Sequence, residues 1–100
     1  MTPAALDLYL QHPLDDGAVV LLLPGEPAPL EVEPADDPAA LASRVTALVP
    51  VRVRGPVVLA VARNGSRPRP ADLLLWTELW SALAGTSGEL QPLELLPAAA

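Results

Sequence analysis

The densest set of groups able to hold a ligand lies between positions 63 and 69, where Arg63, Ser66, Arg67 and Arg69 crowd together. Guanidinium groups grip phosphates and carboxylates through paired, charge-assisted hydrogen bonds. A hydroxyl adds another contact, and free backbone N–H groups at the start of a following helix add more. The segment leaves an apolar run and enters a helical one, the position at which open α/β sheets take their ligands. Arg63, Ser66, Arg67 and Arg69 are therefore the candidate site for a small anionic ligand or nucleotide. Against that reading, Pro68 and Pro70 remove two N–H donors, and the glycine spacing of phosphate-binding loops is absent.

Catalytic constellations are harder to assemble. A serine nucleophile needs an imidazole beside it, and His12, next to Pro13, is the single histidine. The chain has no cysteine, which removes disulfides, thiolate metal sites and a cysteine nucleophile, and it has no lysine, which nuclease-type carboxylate sites usually include. Glu31 and Glu33 share one face of an extended segment and could approach one cation. Two outward glutamates on an edge strand also guard against aggregation, which is the simpler account. No catalytic residue, metal ligand or cofactor is nominated, and an enzyme is not expected.

The second signal is a helix over residues 72–84. At about 100° per residue, Leu73, Trp76, Trp80 and Leu83 share one side, and Leu75, Leu79 and Ala82 adjoin them. Only Thr77, Glu78 and Ser81 form a polar strip, with Leu74 inside it. The apolar arc covers near half the circumference, wider than packing on one sheet requires. Leu73, Leu74, Trp76, Leu79, Trp80 and Leu83 are accordingly the candidate contact surface for a partner, because tryptophan is a favoured anchor of such contacts. The structural alternative is that both tryptophans fill a core that has no phenylalanine.

Charge is unevenly placed. The formal net charge is −6, yet all six arginines lie between Pro38 and Pro70, a stretch without Asp or Glu. All twelve acids lie outside it. Folding either interleaves the two signs or leaves a basic face on an acidic protein. Single-strand nucleic-acid binders alternate cations with stacking aromatics, and the arginine-rich stretch has no aromatic residue, so a nucleic-acid partner is not favoured.

The elements that must position these groups follow from periodicity. Residues 4–10 read as a short helix, and Asp15-Asp16-Gly17 as a turn. Residues 18–23 and 56–62 are continuously apolar, as strands covered on both faces must be. Residues 30–33 alternate, the mark of an edge strand with one buried face. Asp36-Asp37-Pro38 opens a helix bearing Leu41, Val45 and Leu48, and Pro50 ends it. Residues 51–55 read as an alternating connector. Pro70-Ala71-Asp72 opens the tryptophan helix, and Gly85 stops it. Residues 89–96 are expected to form a last strand, broken by Pro92 and hence at an edge, with residues 97–100 as a frayed tail.

The expected fold is a single α/β domain (α+β being the variant) with a small four-stranded mixed sheet in the order α-β-β-α-β-α-β. Strands two, three and four should be mutually parallel, with strand one opposed to them. The expected protein is a cytoplasmic, bacterial interaction or accessory domain without a membrane segment, meeting itself or another protein.

Overall fold

The computed structural model describes residues 14–26 and 28–99, and the fold is mixed α+β. In chain order the elements are β1 (Val19–Leu22), β2 (Leu30–Val32), α1 (Pro38–Leu48), β3 (Arg54–Arg63), α2 (Pro70–Leu83), β4 (Ser87–Leu90) and β5 (Glu94–Pro97). The helix expected over residues 4–10, and His12, lie outside the described residues.

The two apolar runs lie side by side. β1 and β3 pair antiparallel, with Val20 opposite Ala60 and Leu21 opposite Leu59. β2 pairs only with β1, which puts it at the sheet edge. The other side of β3 is shared: its first half pairs in parallel with β4, Val57 opposite Leu90, and its second half with β5, Ala60 opposite Glu94. Strands β2 to β5 therefore run one way and β1 the other. Five strands stand where four were expected, because the last one breaks in two at residues 91–93. Pro92 has no N–H to donate, while the Gln91 N–H still reaches the Val57 carbonyl at 2.9 Å.

Alternation along the central strand divides the core. Val57, Leu59 and Val61 face the helices together with Val19, Leu21 and Val32, and meet Val45 of α1 and Leu75, Leu79 and Leu83 of α2. Val20, Ala60 and Ala62 belong to the opposite face, in one buried cluster with Leu14 and Leu96. Every residue from Val57 to Ala62 is buried, which is why this run carries no polar residue. Both helices pack on the same sheet face: α1 carries the chain from β2 across β1 to the parallel strand β3, and α2 from β3 to its parallel neighbour β4.

Local chemistry sets the helix starts. Asp37 caps α1, its side chain accepting the Ala39 N–H at 3.2 Å, and Pro38 occupies the first turn where its missing donor does no harm. Two details differ from expectation. β3 begins at Arg54, so the connector shrinks to a turn with Val53 buried and Val51 fully in solvent. The chain end is also tied down as far as residue 99, since the Ala98 and Ala99 N–H groups donate to the carbonyls of Arg63 and Leu14.

The turn from α2 into β4 is closely packed. A Cβ on Gly88 would stand 2.9 Å from Val53 Cγ1 and 3.0 Å from Leu83 Cδ2, both on buried side chains. Gly88→Ala is therefore expected to destabilise the fold by about 1–3 kcal/mol through overpacking. Urea titration would reveal this as a lower midpoint at unchanged slope.

Candidate functional site

The arginine loop is built from the end of β3. The Gly17 N–H donates to the Ala62 carbonyl at 2.7 Å and the Ala62 N–H to the Ala18 carbonyl at 2.9 Å, which fixes the turn at Asp15–Gly17 beside Arg63. Gly17 has φ +90°, a left-handed conformation that glycine adopts without strain. That turn delivers Asp16 to the loop. Its carboxylate lies 3.3 Å from Arg69 Nη2 and 3.6 Å from Arg63 Nη1, and it accepts the Asn64 N–H at 2.8 Å.

Asp72, in the first turn of α2, completes the network. Arg63 grips it with two bonds, Nε to Oδ2 at 2.9 Å and Nη2 to Oδ1 at 2.5 Å. The Arg69 N–H also donates to Oδ2 at 2.9 Å, so the same carboxylate caps the helix. Asp72 is only 3 % exposed and the Arg63 side chain 13 %. The four-residue anion site of the sequence is thus altered by the fold. Arg63 and Arg69 face carboxylates of their own chain, whereas Ser66 and Arg67 are exposed and make no ion pair with a described residue.

Burial pushes the Asp72 carboxyl up. The hydrogen bonds from Arg63 and from the Arg69 N–H, with the attraction of both guanidinium groups, outweigh that and hold it below the ordinary carboxylate range. The bond to Asp72 raises Arg63 further in turn. Because the folded-state pKa of Asp72 lies below the unfolded value of about 3.9, its contribution to stability is complete above that pH. It is lost as the pH falls through the folded value. Thermal melts between pH 7 and pH 2 should show the native chain losing stability below about pH 4 more steeply than Asp72→Asn, whose residue 72 cannot titrate.

Other arginines serve separate places. Arg44 donates through Nη1 to the carbonyls of Glu33 (3.1 Å) and Pro34, pinning the connection between β2 and α1. Arg52, Arg54 and Arg67 make no ion pair with a described residue. Around Arg63 the fold interleaves the two signs of charge. The signal for this was present in the sequence: Asp72 shares the stripe of Leu75, Leu79 and Leu83, and an acid on a buried stripe requires a cation.

The six residues proposed as a contact surface separate into three groups. Leu79 and Leu83 are core, fully covered by the sheet, because they lie on the side of α2 that faces β3. They are unavailable to a partner. Trp76 is half-buried at the flank, packed against the core, with its indole Nε1 donating to the Gln91 carbonyl at 3.0 Å over the break between β4 and β5. Leu73, Leu74 and Trp80 are 51 %, 63 % and 60 % exposed. Leu73 and Trp80 lie seven residues apart on the outer side of the helix, beside Trp76, whereas Leu74 faces towards α1.

Between α1 and α2 is a cleft of about 630 Å³. It lies where β2 and β3 end and both helices begin, bounded by Ala35, Pro38, Ala71 and Arg63. Val19, Leu41, Ala42, Leu74 and Leu75 give it apolar walls, and Asp36, Ser43, Thr46 and Glu78 are its polar lining beyond the Arg63–Asp72 pair. Among the described residues there is no group of three or more acidic or histidine side chains placed to hold a metal, and no helix long and apolar enough to cross a membrane. Fold and site together define a small mixed α+β domain with two exposed features, an apolar helix flank and an interhelical cleft. No family model, curated protein or solved structure matches the chain.

Proposed function

We propose that this chain is a protein–protein interaction domain that pairs with a second copy of itself through the outer side of α2. The observation that carries the reading is the exposure of Trp80 and Leu73, more than half open to solvent on one helix face. Single exposed leucines need no explanation, but a large aromatic beside further apolar residues is typical of a contact surface.

The spacing favours a copy of the same helix. Leu73, Trp76 and Trp80 repeat at i, i+3, i+7, the seam by which two helices pack on each other. A two-fold contact is self-complementary, so an antiparallel pair sets Trp80 of one subunit over Leu73 of the other. The neighbours on this side, Thr77 and Ala84, are uncharged. Two copies of an acidic chain can therefore meet here without bringing carboxylates together.

Sedimentation equilibrium between 5 and 200 µM checks the proposal (concentrations on the order of a weak contact's Kd). The expected result is a concentration-dependent dimer that Trp80→Glu converts to monomer while its circular-dichroism melt is retained. A strict monomer across that range would refute self-association through this face.

A further inference from the structure

We propose that the cleft between α1 and α2 is a binding site for a small molecule with an apolar body and a positively charged end, such as an alkylammonium. The site lies apart from the outer side of α2 and does not depend on self-association.

Position and size argue for a ligand. The cleft opens at the carboxyl ends of the parallel strands β2 and β3, between two helix starts, where α/β sheets hold their ligands. Its volume of about 630 Å³ lies within the range of small-molecule sites. Leu74, 63 % exposed although it is a leucine, borders it together with Leu41, Ala42 and Leu75. A hydrocarbon body lying there would cover apolar surface that now faces water.

Charge selects the end group. The cleft is lined by three carboxylates, Asp36, Asp72 and Glu78, and by one guanidinium, Arg63. Asp72 grips Arg63 with two bonds, and Asp16 lies 3.6 Å from it on another side. That leaves Asp36 and Glu78 without an ion-pair partner among the described residues.

Two helix starts would ordinarily favour an anion, each carrying roughly half a positive charge. Here each start already carries a proline and a carboxylate in its cap or first turn. Pro38 and Pro70 lack N–H groups, Asp37 accepts the Ala39 N–H, and Asp72 accepts the Arg69 N–H. The balance at the cleft is therefore negative. A cation on an apolar stem fits it, and a carboxylate of the same length does not.

The test uses three probes of one chain length, n-hexylammonium, n-hexanoate and n-hexanol, titrated into the full chain and followed by backbone amide shifts in nuclear magnetic resonance. The expected result is saturable shifts at residues 39–46 and 71–78, with n-hexylammonium binding roughly three- to tenfold tighter than n-hexanol, as pairing with exposed carboxylates would give. Asp36→Asn combined with Glu78→Gln should abolish that preference while n-hexanol still binds. Ala42→Phe, which fills the cleft, should abolish binding of all three. Absence of shifts in the cleft, equal binding of the three probes, or a preference for n-hexanoate would each overturn the proposal. The double charge variant keeps the test decisive if Ala42→Phe does not fold, since both of its substitutions lie on the surface.

Discussion

Arg63→Met should lower the free energy of unfolding by about 3–5 kcal/mol, the usual cost of leaving one half of a buried ion pair without its partner. The geometry makes this the most sensitive polar position described. Asp72 is buried beneath the start of α2, and two of the three hydrogen bonds to its carboxylate come from Arg63. Methionine matches the length of the arginine stem and keeps its packing, but offers the carboxylate nothing. The remaining donor, the Arg69 N–H, cannot replace a bidentate guanidinium. At neutral pH the variant must then either hold a buried unpaired charge or bind a proton.

The companion double variant, Arg63→Met with Asp72→Leu, separates pairing from burial. Removing both charges together should restore much of the loss, because an apolar pair of similar volume avoids desolvating two ions. A residual deficit of about 1 kcal/mol is expected, since Asp72 also caps α2 through the Arg69 N–H. Chemical denaturation of the four proteins gives the cycle directly. If Arg63→Met costs less than about 1 kcal/mol, in the range of a surface pair, the network is peripheral and does not organise the loop.

Leu79→Ala is the second large effect, at about 2–5 kcal/mol. Leu79 is fully buried between α2 and the sheet, in the cluster that contains Leu59, Val61 and Leu75. Truncation leaves a cavity that its neighbours close only in part, so the loss exceeds the transfer energy of the missing carbons. Trp80→Ala, one position further on, should change the stability of the isolated subunit by less than about 1 kcal/mol, because its ring is mostly in solvent. If the chain pairs as proposed, the order of the two effects on dimer population should reverse. A substantial loss of monomer stability in Trp80→Ala would place that tryptophan in the core and remove the basis for the outer contact.

Much of the architecture could be read from residue pattern. The continuous apolar runs around Leu21 and Leu59 are buried on both sides, and nothing polar could occupy those positions without an unmet hydrogen bond. Glu31 is exposed and Val32 buried on the edge strand, as alternation requires. Asp37-Pro38 opens one helix and Pro70 the other, because caps and proline act within a few residues and do not wait for tertiary contacts. Pro92 breaks the last strand for the same local reason.

The roles of the candidate site residues were not local. Arg63 and Arg69 have the composition of an anion site, but both face Asp16, 47 and 53 positions away, and Arg63 also pairs with Asp72, nine positions on. Helical periodicity grouped Leu79, Leu83, Trp76 and Trp80 in one broad apolar arc and could not say where along it the sheet lies. The amino-acid order by itself determined the elements, their caps and the paired apolar strands, since these depend on steric and hydrogen-bonding preferences over a few residues. Only the tertiary structure decided which arginines are neutralised, which side of α2 is left in water, and that two helix starts border one cleft. Those outcomes follow from the direction in which distant segments are brought together, which no short window of sequence contains.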